Sequence, residues 1–336
     1  MKIAILTPTF SKFSGIDRLI ENKLPDYKKN GDEVTIFCFD ADIETNLANI
    51  EKIGMPKSPF WQRIYRLFFF FHRKKIKQTV EKLKPFKHII AHQYPMTIIA
   101  SKARKKYKTK YTYHDAGIAY PRLFSKFSER LYLRLFSFFT KRSIKNADEF
   151  IFISNFLRQE MKKTYGKPTS IEYVKIDTKR FHKDVKGTDV KKQLNLEFPT
   201  LLYVGRISPH KNVHTLIEAF NLVLNHFPNA KLLIIGKPTF KKYIKKLKKI
   251  ADDNVIFPGF VADEALPEYY AASDLYVTAS LWEGFDIPCV EAQAIGKEVV
   301  CFDIGSHQEV VKEGILVKEL NHTALASAIL KVLKKE

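Results

Sequence analysis

The sequence has few cysteines, no long apolar run and no leader-like start, and each absence excludes a class of protein. Its only cysteines are Cys38, Cys289 and Cys301, and their spacing fits neither a disulfide framework nor a metal motif. No apolar stretch approaches the roughly 18 to 20 residues that cross a bilayer. The start, Met1 to Leu6, is too short for a signal peptide and resembles a first strand. We therefore expect a cytoplasmic chain in a reducing compartment.

Acidic residues are scarce relative to basic ones, and the imbalance indicates an anionic partner. The chain carries 57 Lys and Arg against 36 Asp and Glu, a formal net charge of +21. Nucleic acid, an anionic membrane surface and phosphorylated substrates all fit such a charge. No nucleic-acid-binding motif is present, and the positive charge accompanies bulky apolar side chains. We therefore expect no nucleic-acid partner.

The length and the order of elements predict two α/β domains. A chain of 336 residues with 45% apolar content is long enough for two cores. Short apolar strands alternate with helical patterns in each half, which is typical of doubly wound parallel sheets. Glycine and proline punctuate residues 166–200, which we interpret as the joint. The predicted domains are 1–172 and 173–336.

Two stretches of the first half combine large aromatic residues with lysine and arginine. In residues 60–84 the helical spacing is carried by Trp61, Ile64, Phe68, Phe71, Ile76, Val80 and Leu83, and in residues 121–145 by Phe124, Phe127, Leu131, Leu135 and Phe138. Such helices are typical of an anionic lipid interface. The alternative is that they pack on the domain core with their lysines solvated. Four consecutive phenylalanines, 68–71, cannot all face one core, because successive helical residues point about 100° apart.

One acidic pair resembles a metal-binding motif but lacks support. Asp40 and Asp42 form a D-x-D after the second predicted strand. No further acid accompanies them, so we interpret them as surface carboxylates and expect no metal.

A strand, a tight loop and a helix start surround two glutamates of the second half. The strand covers residues 274–280, the loop begins at Glu283, and Pro288 lies where proline is tolerated at a helix start. Such a start presents free N–H groups and the positive end of a helix dipole, which suit a phosphate. The alternative is that Glu283 and Glu291, eight positions apart, are solvated residues without a role.

These motifs, taken together, resemble the retaining glycosyltransferases of family 4. The resemblance rests on Glu283-Gly-Phe-x-x-Pro with Glu291 eight positions on, and on Gly205-Arg206-x4-Lys211 after a strand. It covers residues 200–330 closely and the first half loosely. It implies a GT-B fold, in which two Rossmann-like domains face a central cleft. It further implies a nucleotide diphosphate sugar as substrate, with no cofactor and no metal.

The resemblance also assigns roles on the donor side. Arg206 and Lys211 would grip the diphosphate, Glu283 would orient the transferred sugar, and Glu291 would bind the ribose hydroxyls. The remaining donor-binding residues that it implies are Gly15, Gly205, Gly259, Phe260, Ser280, Gly284, Phe285, Asp286 and Ile287. Asp286 stands where the family often has glycine, which places a carboxylate close to the donor.

For the first half, the resemblance implies a catalytic histidine and an acceptor site. His114 would contact the donor sugar during transfer, and Asp115 would bind acceptor hydroxyls. Both follow a predicted parallel strand, at the edge where such sheets bind ligands. The family usually has a Gly-Gly pair near residue 14, where this chain has Ser14-Gly15. No residue is expected to act as a covalent nucleophile.

The sequence thus predicts a retaining hexosyltransferase at the inner face of the cell membrane. Its partners would be a nucleotide sugar, a lipid-linked or glycan acceptor and an anionic membrane surface. A sugar-nucleotide epimerase of the same fold and a non-catalytic sugar-nucleotide-binding partner remain alternatives. A nucleic-acid binder, which the net charge alone would also fit, is the third.

Overall fold

The chain folds into two α/β units, each built on a parallel sheet. The computed structural model describes residues 1–11, 15–165 and 167–334, and for 162–165 the backbone only. Ser14 of the predicted Ser14-Gly15 pair lies outside the described residues. The first unit comprises residues 1–121 and 126–175, and the second comprises residues 122–125 and 176–336. The predicted boundary, between 172 and 173, lies three residues before this division.

The sheet of the first unit has the strand order β5-β3-β1-β6-β7-β8-β9. Its strands are β1 (Lys2–Leu6), β3 (Glu33–Cys38), β5 (Asn49–Lys52), β6 (His88–Ala91), β7 (Lys110–Asp115), β8 (Glu149–Phe152) and β9 (Thr169–Ile171), and a small separate pair joins β2 (Thr9–Phe10) to β4 (Asp40–Ala41). The central strands β1 and β6 are mostly apolar and buried, as expected for a parallel sheet covered on both faces. The order reverses between β1 and β6, so ligand-binding residues are expected at their carboxyl ends.

The helices of the first unit include the two aromatic stretches. They are α1 (Gly15–Lys29), α2 (Pro59–Leu67), α3 (Arg73–Lys82), α4 (Met96–Tyr107), α5 (Phe127–Ile144) and α6 (Asn155–Tyr165). The helical spacing of residues 60–84 is interrupted, because a short 3-10 turn at Phe69–Phe71 separates α2 from α3. Phe69 is buried against Phe39 and Tyr65, while Phe71 is exposed.

The second unit repeats the plan with the strand order β12-β11-β10-β13-β14-β15. Its strands are β10 (Thr200–Val204), β11 (Lys231–Ile235), β12 (Val255–Gly259), β13 (Leu275–Thr278), β14 (Glu298–Phe302) and β15 (Gly314–Val317). Its helices are α7 (Thr188–Leu194), α8 (Val213–Val223), α9 (Lys241–Ile250), α10 (Leu266–Ala272), α11 (Ile287–Ala294), α12 (His307–Val310) and α13 (His322–Leu333). The order reverses between β10 and β13. The predicted fold class, two doubly wound Rossmann-like domains, is confirmed.

Among the helices of the described residues, none combines the length and the apolarity that crossing a bilayer requires.

Candidate active site

Gly205, Gly236 and Gly259 allow the backbone segments at the ends of β10, β11 and β12 to lie close together. The Gly205 N–H donates to the Ile235 carbonyl at 3.0 Å, and the Gly236 N–H donates to the Gly259 carbonyl at 2.8 Å. Gly236 has φ +144°, and a Cβ there would lie 1.8 Å from the Gly205 oxygen. Only glycine fits such an approach. The predicted donor residues Gly205 and Gly259 are therefore brought to one edge, together with Gly236, which the sequence analysis did not single out.

Arg206 and Lys211 follow β10 and differ in exposure. Arg206 is exposed, and its backbone carbonyl accepts a hydrogen bond from the Tyr203 hydroxyl at 3.1 Å. Lys211 ends a 3-10 turn, Pro209–Lys211, that precedes α8. The Lys211 ammonium forms an ion pair with the Glu283 carboxylate. One predicted phosphate-binding residue and one predicted sugar-binding residue are thus in direct contact.

Glu283 lies in a buried loop that a second loop supports. Its backbone carbonyl accepts the Ser306 N–H at 3.3 Å, and a Cβ on Gly305 would lie 2.4 Å from the same oxygen. The side chain is only 6% exposed. Burial and the nearby Asp286 charge raise the pKa of Glu283, while Lys211 opposes that rise. The side chain of Glu283 is therefore fixed in this buried loop by its ion pair with Lys211.

Asp286 forms a buried ion pair with His307. Asp286 precedes α11 in the left-handed region, with φ +64°, and its Oδ2 accepts His307 Nε2 at 2.9 Å and Cys289 Sγ at 3.3 Å. Burial alone would lower the pKa of His307, but the hydrogen bonds to Asp286 and Cys301 raise it well above its usual value. Burial alone would raise the pKa of Asp286, but the bond from His307 lowers it. The Asp286 carboxylate, which the sequence places beside the donor, is thus hydrogen-bonded to His307 inside the second unit.

Glu291 lies on α11 and faces α10. Its Oε2 accepts the Tyr270 hydroxyl at 2.8 Å, and both side chains are buried. Pro288 lies in the first turn of α11, as the sequence predicts. Tyr270 was not singled out by sequence analysis, because it lies 21 positions away and in no recognised motif.

The remaining donor-side residues flank these groups. Ser280 is buried after β13, and its hydroxyl lies 3.0 Å from that of Thr278. Gly284 and Phe285 are buried in the Glu283 loop, and Ile287 begins α11 half-buried. Phe260 is exposed, and the Lys237 ammonium lies 4.6 Å from the centre of its ring. An aromatic ring beside a cation at this edge offers a surface for a planar base.

In the first unit, His114 lies beside a second buried histidine. The rings of His92 and His114 are 4.9 Å apart, after β6 and within β7. Among the described residues, His92 Nδ1 and His114 Nε2 are buried nitrogens without a hydrogen-bond partner. Burial and Lys23 lower the pKa of His92 to about 3, and burial and His92 lower that of His114 well below its usual value. Both imidazoles are therefore neutral and able to bind a hydroxyl.

Asp115 and Asp17 are the buried carboxylates nearest to the ends of β7 and β1. Asp115 accepts the Tyr113 hydroxyl at 3.0 Å and the Gly117 N–H at 2.8 Å, and burial raises its pKa. Asp17 accepts the Thr7 hydroxyl at 3.2 Å and the Ser11 N–H at 2.9 Å. Burial raises the pKa of Asp17 to about 6.

Sequence analysis missed Asp17 because a lone acid in a first helical turn has an ordinary capping explanation. Gly15, two residues earlier, is exposed at the start of α1. Asp40 and Asp42 are also exposed, as expected for surface carboxylates.

The geometry of the second unit suits a ligand that is anionic at one end and rich in hydroxyls at the other. The Arg206 guanidinium and the Lys211 ammonium follow β10, beside the point where the strand order reverses, and such points are where these sheets bind ligands. Glu283, in the loop before α11, and Glu291, on α11, supply carboxylate oxygens that can bind hydroxyls. Positive charge without a metal can stabilise a diphosphate leaving group.

Two protein-family models match this chain. The model described as "Glycosyltransferase Family 4" matches residues 13–175, and the one described as "Glycosyl transferases group 1" matches residues 185–336. Together they cover nearly the whole chain.

Curated relatives match over part of their length. A GDP-mannose-dependent alpha-(1-6)-phosphatidylinositol monomannoside mannosyltransferase of Mycobacterium tuberculosis is 29% identical over 206 residues, which are 56% of this chain and 53% of that protein. The lipopolysaccharide core biosynthesis mannosyltransferase LpsB of Rhizobium meliloti is 31% identical over 157 residues, 44% of each chain. The chain thus spans about half the length of these curated relatives.

Solved structures share the fold over the whole chain. Anabaena HepE, solved in complex with UDP-glucose, superposes with a TM-score of 0.78 at 20% identity, covering 100% of this chain and 90% of that one. WaaG, a glycosyltransferase involved in lipopolysaccharide biosynthesis, superposes with a TM-score of 0.76 at 16% identity, covering 99% and 90%. At these identities the likeness concerns the fold.

Proposed function

The chain belongs to the family 4, group 1 glycosyltransferases of the GT-B fold, and on that premise we propose that it is a retaining hexosyltransferase. It takes its sugar from a nucleotide diphosphate sugar and gives it to a lipid-linked or membrane-proximal acceptor. The transfer itself requires no metal. The observation that carries the donor part is the contact of Lys211 with Glu283 at the reversal point of the second sheet.

The donor-side residues divide the work between leaving group and sugar. Arg206 and Lys211 neutralise the diphosphate, whose charge increases as the glycosidic bond breaks. Glu283 orients the sugar hydroxyls and holds Lys211, and Glu291, fixed by Tyr270, binds the ribose. The N–H groups at the start of α11 add their dipole to the phosphate site.

The transfer step needs no protein nucleophile. The acceptor oxygen bonds to the anomeric carbon on the face from which the diphosphate leaves. The bond between that carbon and the diphosphate oxygen breaks, and the acceptor proton passes to the leaving phosphate. The products are a glycoside of unchanged anomeric configuration and a nucleoside diphosphate.

The first unit supplies groups for hydroxyls. His114, neutral and with an unpartnered Nε2, bonds a hydroxyl of the transferred sugar. Asp115 binds the acceptor. A neutral imidazole suits this role because one ring nitrogen donates a hydrogen bond and the other accepts one, so the ring can bind a hydroxyl.

The membrane part rests on an exposed aromatic surface formed by α2, the following turn and α5. Seven of the twelve exposed large apolar side chains among the described residues lie there, namely Phe60, Trp61, Phe68, Phe71, Phe127, Leu131 and Phe138. Phe70 contacts Phe139, with ring centres 4.9 Å apart. Arg63 donates to both Glu129 oxygens, at 2.9 and 2.5 Å, so the two elements form one surface. Contiguous apolar surface of this kind marks an interaction site, and the basic residues around it favour anionic lipid.

The donor experiment compares two nucleotide sugars in the absence of metal. Mannosyltransferases recur among the relatives, so GDP-mannose is tested first and UDP-glucose second, with anionic vesicles that contain a lipid extract. We expect nucleoside diphosphate release and a labelled lipid with one donor. Arg206→Ala and Lys211→Ala should each lower the rate at least 100-fold, which corresponds to about 2.7 kcal/mol. Lys245→Ala, an exposed lysine on α9, is the matched control.

Two results would contradict the proposal. Epimerised free sugar without acceptor would favour the epimerase. Nucleotide binding without turnover, and unchanged by Glu283→Ala, would favour a non-catalytic partner.

The membrane experiment uses Trp61 as an internal probe. Vesicles with brominated acyl chains should quench the fluorescence of the wild type, and Trp61→Phe should remove most of that quenching. Phe60→Ser/Trp61→Ser should lower the bound fraction in vesicle flotation at least fivefold. Leu320→Ser, which changes an apolar residue of the second unit that is half exposed, should leave the bound fraction unchanged. Equal binding of all three proteins would refute the membrane surface.

A further inference from the structure

Two of the three cysteines meet in the buried interior of the second unit. Cys289 Sγ, Cys301 Sγ and a ring nitrogen of His307 all lie within 4.8 Å of one another, and all three side chains are buried. The residues come from the first turn of α11, from β14 and from the start of α12. The fold therefore gathers them from three elements, although their spacing in sequence resembles no metal motif.

A fourth oxygen completes the set. Asp286 Oδ2 lies 2.9 Å from His307 Nε2 and 3.3 Å from Cys289 Sγ. In a tetrahedral zinc site, bonds of about 2.0 to 2.3 Å place neighbouring ligand atoms about 3.3 to 3.8 Å apart. The atoms are thus within a few tenths of an ångström of such a tetrahedron on these two edges.

The histidine is oriented as a metal ligand would be. His307 Nδ1 lies 2.6 Å from the Phe302 backbone carbonyl, which leaves Nε2 facing Asp286. Metal-binding histidines usually donate their second N–H to a carbonyl or a carboxylate, which fixes the ring. The Phe302 carbonyl therefore fixes the ring in the orientation that a ligand needs, although a protonated His307 would use the same acceptor.

We propose that Asp286, Cys289, Cys301 and His307 bind a structural zinc ion. Two thiolates with an imidazole and a carboxylate are a set that favours Zn²⁺ over Mg²⁺ or Ca²⁺. Four protein ligands leave no open position, so the ion takes no part in sugar transfer. It ties the start of α11 to the end of β14 and to α12, and so fixes the loop that carries Glu283. Binding releases the two thiol protons and the Nε2 proton.

The test measures metal in the untagged full chain. Protein expressed with added zinc chloride is passed through gel filtration with a weak chelator, and zinc per chain is measured by mass spectrometry. We expect about one zinc in the wild type and in Cys38→Ser, whose cysteine is buried in the first unit. Cys289→Ser and Cys301→Ser should each retain less than a tenth of it. Zinc retained equally in both variants would overturn the proposal.

A second measurement does not depend on the folding of any variant. Wild type reconstituted with Co²⁺ should show intense visible bands of a tetrahedral site together with sulfur-to-cobalt charge transfer. Thiols are then counted in wild type that has been unfolded without reductant. If all three cysteines are reduced and the folded protein nevertheless binds neither zinc nor cobalt, the proposal is wrong. A single reactive thiol would do the same, because it would mean that Cys289 and Cys301 form a disulfide.

Discussion

The Lys211–Glu283 ion pair joins two motifs that lie 72 positions apart. Glu283 is almost fully buried, and Lys211 is the cation that lies in contact with it. Removing one partner of such a pair leaves an unpaired buried charge, and this costs more than the pair contributes. The same two residues are therefore needed for the stability of the loop and for the proposed donor site.

Lys211→Ala should lower the free energy of unfolding of the second unit by about 3 kcal/mol. The double variant Lys211→Ala/Glu283→Gln should recover more than half of that loss, because the unpaired carboxylate is gone. Urea unfolding is followed by Trp282 fluorescence in a Trp61→Phe background. Equal losses in the single and double variants would mean that the pair is not the cause.

Asp17 makes a separate prediction about pH. Burial raises its pKa from 3.8 to about 6, so the folded chain binds a proton there that the unfolded chain has already released. Its contribution to stability is full below about pH 4 and is lost as the pH rises through 6, by about 3 kcal/mol in total. Asp17→Asn should flatten this decline. The readout is the difference between unfolding free energies at pH 4 and pH 6.5, and an unchanged difference would contradict the assignment.

At the scale of elements, the backbone conformation depends on the local sequence in some places and on close contact between strands in others. The phenylalanine-rich stretch has too many apolar positions for one helical face. The helix therefore ends at Leu67, Phe69 is buried, and Phe71 stays exposed. At the ends of β10 and β11, close approach decides instead, since Gly236 meets the Gly205 carbonyl.

Gly236→Ala should destabilise the second unit by about 3 kcal/mol or more, because positive φ and a backbone clash add. Gly259→Ala is the matched control. That residue also has positive φ, +84°, but a Cβ there would meet nothing within 4 Å, so about 1 kcal/mol is expected. Thermal unfolding of both variants is measured, and the midpoint should fall further in Gly236→Ala than in Gly259→Ala. Equal effects in both variants would refute the close approach as the cause.

At the scale of the whole molecule, the surplus of positive charge directs the chain towards anionic surfaces. A net charge of +21 attracts anionic surfaces and raises the rate of association with them. At about 0.1 M salt this attraction is largely screened beyond about 10 Å. The aromatic surface of α2 and α5 adds an apolar contribution that salt does not screen. One binding experiment at several salt concentrations should therefore separate the electrostatic contribution from the apolar one.

Binding to vesicles rich in phosphatidylglycerol should fall at least tenfold between 50 and 500 mM salt, and binding to phosphatidylcholine vesicles should be weak throughout. Duplex DNA serves as the control polyanion. Tighter binding to DNA than to anionic vesicles at the same salt would contradict the expectation of no nucleic-acid partner.

Much of the fold and part of the site could be predicted without coordinates. The strands after residue 200 occur where their apolar runs predict them, and Pro288 lies in the first turn of α11 as expected. The pairings of Asp286 with His307, and of Glu291 with Tyr270, could not be predicted. Each joins residues 21 positions apart that belong to different elements, and no local spacing encodes such a contact.

The sequence by itself determined the two-domain α/β architecture, the family and the order of the donor motifs, because these depend on periodicity and on short stretches of neighbouring residues. The tertiary structure alone decided which charges are paired, which phenylalanines are exposed, and that two scattered cysteines share one buried cluster with His307. Those outcomes depend on how parallel strands and their loops align in space. That alignment is a property of the folded chain as a whole.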